Sequence, residues 1–247
     1  MTAGNVRVPD APKDQFFSLN VFETSGYQTH YRNLCKMVKD HIRLDKLRGR
    51  KVIDLACGYG WYGQSLLVEG ADVAFIDGRE ANLAGVRKQV PGAKTYVMNV
   101  ETDPFPIANV DIILCMGLIY HIADPRALFD KMAKVTDRVF IDTTCLDHDG
   151  EFIVYHKEST DAHQFSLTGS ACRPSPKWIM RQLTEAGFTR VADISSAIGN
   201  RPPEPGFPGL LYDWDYQRTC GWRRNEQTLR RMFLASKAGP SDDLLIW

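Results

Sequence analysis

Asp54-Leu-Ala-Cys-Gly58-Tyr-Gly60-Trp-Tyr-Gly63 joins a short apolar run, Lys51 to Leu55, to a helical one, Tyr62 to Glu69. Glycines at such a junction let the backbone turn tightly and let a ligand approach with no Cβ in the way. Taken alone, G-x-G-x-x-G fits several nucleotide-type ligands or a bare turn. Working outward, strands and helices alternate. Strands are expected at Asp72 to Ile76, Lys94 to Met98, Val110 to Met116 and Arg138 to Asp142. Helices are expected at Glu80 to Gln89, stopped by Pro91, and at Pro125 to Val135 and Ser175 to Ala186. Pro125 and Pro176 suit a first helical turn, and Gly70 and Gly187 suit helix ends. Val110 to Met116 is almost continuously apolar, as a strand buried on both faces should be. Arg190 to Ile194 and Leu229 to Ser236 close the pattern as strands. Such alternation predicts a mostly parallel sheet with helices on both faces.

Two stretches break the rhythm, at about 143–173 and 195–228. The first holds three of the six histidines, and the second is rich in Pro, Gly and aromatic residues, among them Trp214, Tyr216 and Trp222. Long loops in compact domains are usually functional or disordered, and the aromatic density argues against disorder. Residues 1–48 read as an arm and a helix (about Gln28 to Leu47) belonging to the same domain as 49–247. The tail, Asp242 to Trp247, ends in apolar residues that could dock on this fold or on a partner.

At 247 residues the chain suits one α/β domain with insertions. It has 30 Lys plus Arg and 30 Asp plus Glu, so it lacks the basic excess of a dedicated nucleic-acid binder. A local basic patch around Arg218, Arg223, Arg224, Arg230 and Arg231 reads as a solvated face, with an anionic acceptor as the alternative. The six cysteines show no C-x-x-C pair or zinc spacing, so free thiols, a reducing cytoplasm and no metal are expected. Asp147-His148-Asp149 reads as a solvated turn. No apolar leader and no stretch of 18 apolar residues is present, so neither secretion nor membrane insertion is expected.

Two carboxylates narrow the ligand. Asp54 precedes Gly58 by four positions, where an anion would not help a pyrophosphate but would suit a cation such as the sulfonium and ammonium of S-adenosylmethionine (SAM). Asp77, ending Phe75-Ile76-Asp77-Gly78-Arg79, can accept ribose hydroxyls, a device shared with NAD enzymes. With these motifs, the chain from about Lys51 to Lys237 resembles class I SAM-dependent methyltransferases. Asp77-Gly78-Arg79-Glu80-Ala81-Asn82 and Met116-Gly117-Leu118-Ile119-Tyr120-His121-Ile122-Ala123-Asp124-Pro125 resemble one branch in particular. That branch holds small-molecule and sugar O-methyltransferases and the tRNA wobble-uridine carboxymethyltransferase.

The resemblance implies a Rossmann-like seven-stranded sheet with the last strand antiparallel. It implies a cofactor site of Asp54, Ala56, Gly58, Gly60, Asp77, Gly78, Arg79, Asn99, Val100, Glu101 and Met116, with Tyr31 closing over it. S-adenosylhomocysteine (SAH) would be the product. His121 is the candidate general base, since an imidazole suits proton abstraction near neutral pH. Tyr120 is the second candidate. Their plainer readings are a structural histidine under a loop and core packing. His148, His156 and His163 border the same region without an assigned role.

The function expected is methyl transfer to a small-molecule hydroxyl. N-methylation and transfer of a methyl or carboxymethyl group to RNA are the alternatives, and a non-enzymatic adaptor is disfavoured by the intact glycine loop. The lack of an Asn/Asp-Pro-Pro-Tyr/Phe run argues against methylation of DNA bases. A homodimer is left open.

Overall fold

A computed structural model describes residues 34–160, 166–195, 228–237 and 242–247. Tyr27, His30 and Tyr31, His163, and the aromatic and arginine-rich stretch through Trp214, Tyr216, Arg218, Trp222, Arg223 and Arg224 lie outside the described residues.

Helix α1 is described over 34–40. Strand β1 (Lys51–Leu55) leads into α2 (Trp61–Leu67), followed by β2 (Asp72–Asp77), α3 (Glu80–Gln89), β3 (Lys94–Val97) and β4 (Ile112–Met116). Then come α4 (Pro125–Val135), β5 (Arg138–Leu146), β6 (Ile153–Lys157), β7 (Ser170–Pro174), α5 (Pro176–Glu185), β8 (Arg190–Asp193) and β9 (Thr228–Ser236). Seven strands form one sheet in the order β3-β2-β1-β4-β5-β9-β8. The pairs β1–β2, β1–β4, β2–β3 and β4–β5 are parallel, and β9 runs antiparallel to both β5 and β8. This is the expected Rossmann-like architecture.

The expected and observed element boundaries differ mainly at one place. Strand β5 does not stop at Asp142 but continues to Leu146, because β9 pairs with it along its whole length. The first insertion therefore begins later than expected, and it is not a bare loop. Strands β6 and β7 form an antiparallel hairpin of their own. Its residues lack a clean period-two pattern because most of β6 is exposed. The helix expected from Gln28 to Leu47 gives way after residue 40 to a bridge at Ile42 and a 3-10 turn, Leu44–Lys46.

Two apolar layers sandwich the sheet. Leu34, Val38, Leu66, Leu83 and Val86 from α1, α2 and α3 pack on one face, against Phe75, Leu114 and Phe140. Leu128, Phe129, Ile179 and Leu183 from α4 and α5 pack on the other, against Ile76, Ile113 and Ile141. The C-terminal tail docks on its own fold. Leu245 bridges Ile42, Leu244 and Leu245 are buried, and the Asp242 carboxylate accepts from Arg138 and from the amides of Leu244 and Leu245.

The junction after β1 is tight. A Cβ on Gly63 would lie 2.6 Å from Phe75 and 2.9 Å from Val73, so α2 can lie on β2 only because this position is glycine. Beneath the same turn, Asp54 is fully buried and one of its carboxylate oxygens accepts from the Gly63 amide at 2.8 Å. Burial pushes the Asp54 carboxyl up to about 8, against the lowering effect of that amide and with a further push from nearby Asp77.

Gly63→Ala is expected to destabilise the protein by about 1–3 kcal/mol through overpacking, read as a lower urea midpoint with an unchanged slope. Asp54→Asn keeps an acceptor for Gly63 and removes the titration. Between pH about 4, the ordinary aspartate range, and about 8, the folded chain holds more protons at position 54 than the unfolded chain. The wild-type protein should therefore lose stability as pH rises through that window, and the variant should lose less. Equal losses in urea melts of the two proteins would contradict this.

Candidate active site

The sheet order reverses between β1 and β4, and the carboxyl ends of parallel strands at such a point form a natural crevice. A cavity of about 360 Å³ lies there, within the size range of small-molecule sites. Loops after β1, β2 and β3 and the end of β4 build one half of it, and the turn past β4, the β6–β7 hairpin and β9 build the other.

The first half contains most of the residues expected from the sequence. Ala56, Gly58, Asp77, Gly78, Arg79, Asn99, Val100, Glu101 and Met116 all line the cavity. Ala56 and Gly58 adopt positive φ (both 54°), which turns the loop back toward β2. Asp77 gathers this half. One of its oxygens accepts from the Gly58 amide at 2.9 Å; the other accepts from the Arg79 amide at 2.8 Å and the Asn82 side chain at 3.1 Å. Burial raises the Asp77 carboxyl, while those donors and the Arg79 charge pull it back down. Glu101 accepts from the Ala123 amide and from the Thr168 hydroxyl, at 2.8 and 2.9 Å, so it spans from the β3 loop to the hairpin. Asp54 and Gly60 do not line the cavity; they lie behind its wall.

Arg79 does more than line the wall. Its guanidinium donates to the backbone carbonyls of Thr160 and Ser166, and so ties the hairpin down over the β2 loop. Leu167 lies so close to Gly78 that a Cβ there would be 2.2 Å from its methyl carbon.

The second half holds His121 and Tyr120, on a 3-10 turn (Ile119–His121) just past β4. His121 Nδ1 lies 2.6 Å from Glu158 Oε2, with the two side chains only 14% and 12% exposed. A carboxylate at Nδ1 fixes the tautomer with its proton on that nitrogen. Burial holds the His121 pKa below its ordinary value of 6.5; Glu158 opposes this, and Arg173 and Arg230 reinforce it. Glu158 also accepts from the Ser166 amide at 2.9 Å. Burial disfavours its charge, but His121, Ser166 and Arg173 outweigh burial and hold its carboxyl below the usual range.

Tyr120 is bracketed by arginines. Arg230 donates to its hydroxyl at 3.2 Å, and Arg173 donates to its backbone carbonyl at 3.1 Å. Arg230 also pairs with Asp142, a fully buried carboxylate near the middle of β5. The expectation that Arg230 and Arg231 share a solvated face is therefore corrected. Arg230 points into the cavity, and Arg231 pairs with Asp193 at 3.1 Å. Adjacent strand residues face opposite sides of the sheet, which separates the two.

Sequence reasoning missed Glu158 and Arg173 as site residues, and it named Arg230 only within a basic patch read first as a solvated face. For Arg230 the sequence held a sharper signal. Two arginines opening an apolar strand require one on each face, and an aspartate inside apolar β5 needs a cation. His148 and His156 lie apart from the cavity wall; His148 Nδ1 accepts from the Gly150 amide at 2.8 Å. Among the described residues, no cluster of His, Cys, Asp or Glu could hold a metal ion, and no helix is long and apolar enough to cross a membrane.

The chain's relatives fit this geometry. Residues 52–138 match the family model described as a methyltransferase domain. The ubiquinone biosynthesis O-methyltransferase of Photobacterium profundum is 32% identical over 105 residues, covering 39% of this chain and 45% of that protein. The protein of the same name from Vibrio atlanticus is 29% identical over 185 residues, covering 69% and 70%. The chain thus spans about half the length of the first of these relatives. Among solved structures, the N-terminal domain of EvdMO1, crystallised with SAH and D-fucose, superposes with a TM-score of 0.59 at 15% identity, covering 87% of this chain and 84% of that one. A phospholethanolamine N-methyltransferase from Haemonchus contortus, in complex with phosphomonomethylethanolamine and SAH, gives 0.58 at 15% identity, covering 86% and 56%. At such identities the likeness is one of fold. The glycine loop therefore lies in a stretch that matches a methyltransferase domain, and the seven-stranded sheet around it has the fold of these solved structures.

Proposed function

We propose that the protein methylates a hydroxyl group of a small-molecule acceptor, with His121 as the general base. The supporting observation is the buried pair of His121 Nδ1 and Glu158, 2.6 Å apart beside the end of β4. The relatives named O-methyltransferases favour oxygen over nitrogen as the receiving atom.

The donor set fits SAM. Asp77 is a buried carboxylate facing the cavity, suited to ribose hydroxyls. Met98, Val100, Leu118 and Ile122 supply an apolar wall suited to a purine, with Asn99 and Glu101 at its edge. The backbone at Ala56 and Gly58, which lines the cavity, suits the polar methionyl end. SAM supplies a methyl group on a sulfonium, which is already an activated leaving group, so the protein's task is alignment and exclusion of water. The hairpin covers the site through Arg79 and Leu167. Glu158 orients His121 and keeps the proton on Nδ1, which assigns proton acceptance to Nε2. Because burial keeps His121 uncharged at neutral pH, the base is in its working form there.

His121→Ala should lower turnover about 100-fold, measured as SAH release with an accepted hydroxyl compound, while SAM affinity stays near wild type. Unchanged turnover would remove His121 from the chemistry. The kcat/KM of the wild-type protein should fall with an acid limb below pH 6.5, where His121 takes up a proton. Glu158→Gln removes a charge that raises the His121 pKa, so its limb should move to still lower pH while kcat drops. A limb that moves upward would refute the pairing.

A further inference from the structure

The cavity carries positive charge that the His121–Glu158 pair does not use. Three arginines line it: Arg79, Arg173 and Arg230. Arg79 is turned toward the hairpin carbonyls. The other two meet at Tyr120, with guanidinium carbons 5.2 Å (Arg173) and 5.4 Å (Arg230) from its ring centroid. Asp142 answers the charge of Arg230. Arg173 has no such answer. Its Nη1 donates to the carbonyls of Tyr120 and Cys172, and among the described residues it forms no ion pair. Glu158, the carboxylate that feels its field, is held instead by His121 and the Ser166 amide.

A half-buried guanidinium facing a cavity without a counter-ion is costly unless the ligand brings the charge. Arginine's planar fork matches a carboxylate or a phosphate. We propose that Arg173 and Arg230, gathered around Tyr120, form an oxyanion subsite, and that the acceptor is a hydroxyl compound bearing a carboxylate or phosphate group. This deepens the reading of the site as one for a small hydroxyl acceptor and rests on it for the hydroxyl alone. An anion here also offsets the field of Arg173, which adds to burial in lowering the His121 pKa, so acceptor binding makes the base somewhat stronger. Among the described residues, the charged and titratable groups around His121 are Tyr120 beside it, Glu158 and His156 from the hairpin, Arg173 from β7 and Arg230 from β9.

The test is calorimetric titration of the full chain saturated with SAH, using matched pairs: salicylate against salicylamide, and glycerol phosphate against glycerol. At least one anion should bind about tenfold or more tightly than its neutral partner, about 1.4 kcal/mol. Arg173→Gln should bring that ratio close to one with SAH affinity unchanged. Arg173→Lys, which keeps the charge and loses the fork, should retain part of it and guards against a folding defect in the first variant. The proposal is overturned if no anion binds, if each pair binds equally, or if the preference survives in Arg173→Gln. Which anion binds separates carboxylate from phosphate. An anion that binds but is never methylated would sink the hydroxyl reading and leave the subsite standing.

Discussion

The Asp77 carboxylate holds together the loops that make the site. It takes the Gly58 amide from the turn after β1, and the Arg79 amide and Asn82 side chain from the turn into α3. A carboxylate buried this deeply is tolerated only because donors surround it. Those donors are available because Ala56 and Gly58 accept positive φ and because Gly63 lets α2 lie on β2. The wall of this half of the cavity is therefore one connected arrangement. Arg79 extends it further, since the residue whose amide serves Asp77 also pins the hairpin through its guanidinium.

How much of this the sequence carried depends on how local each cause is. The glycine loop, the acidic end of β2 and the helix starts at Pro125 and Pro176 are set by neighbours in the chain, and α3 and α4 fall at the expected residues. The parallel sheet followed from alternation alone. What escaped depends on partners far along the chain. Strand β5 runs on past Asp142 because β9 lies beside it, and nothing within Arg138 to Leu146 announces that. Exposed β6 offers no periodicity to read. Glu158 became visible only once the hairpin folded over the turn that bears His121.

Asp54 shows how an electrostatic argument from sequence can shift once burial is known. Its place before the glycines suggested an anion for a cationic ligand. The structure puts it beneath the turn, holding the Gly63 amide, where loss of water favours its protonated form. The charged work of the cavity falls instead to Asp77, Glu158 and the arginines around Tyr120.

The pairing of Asp142 with Arg230 joins residues 88 positions apart. The excursion between β5 and β9 adds little to loop-closure entropy, since each doubling of a loop costs only about 0.6 kcal/mol. Its consequence is kinetic. Contacts of such high sequence separation slow folding, because chain entropy is lost before the pairing rewards it. Strand β9 lies between β5 and β8 and carries Arg230 with it, so the pairing of highest sequence separation also brings a charge to the cavity wall. The completeness of the cavity wall is in this way tied to the longest-range pairing of the parallel core with the antiparallel edge.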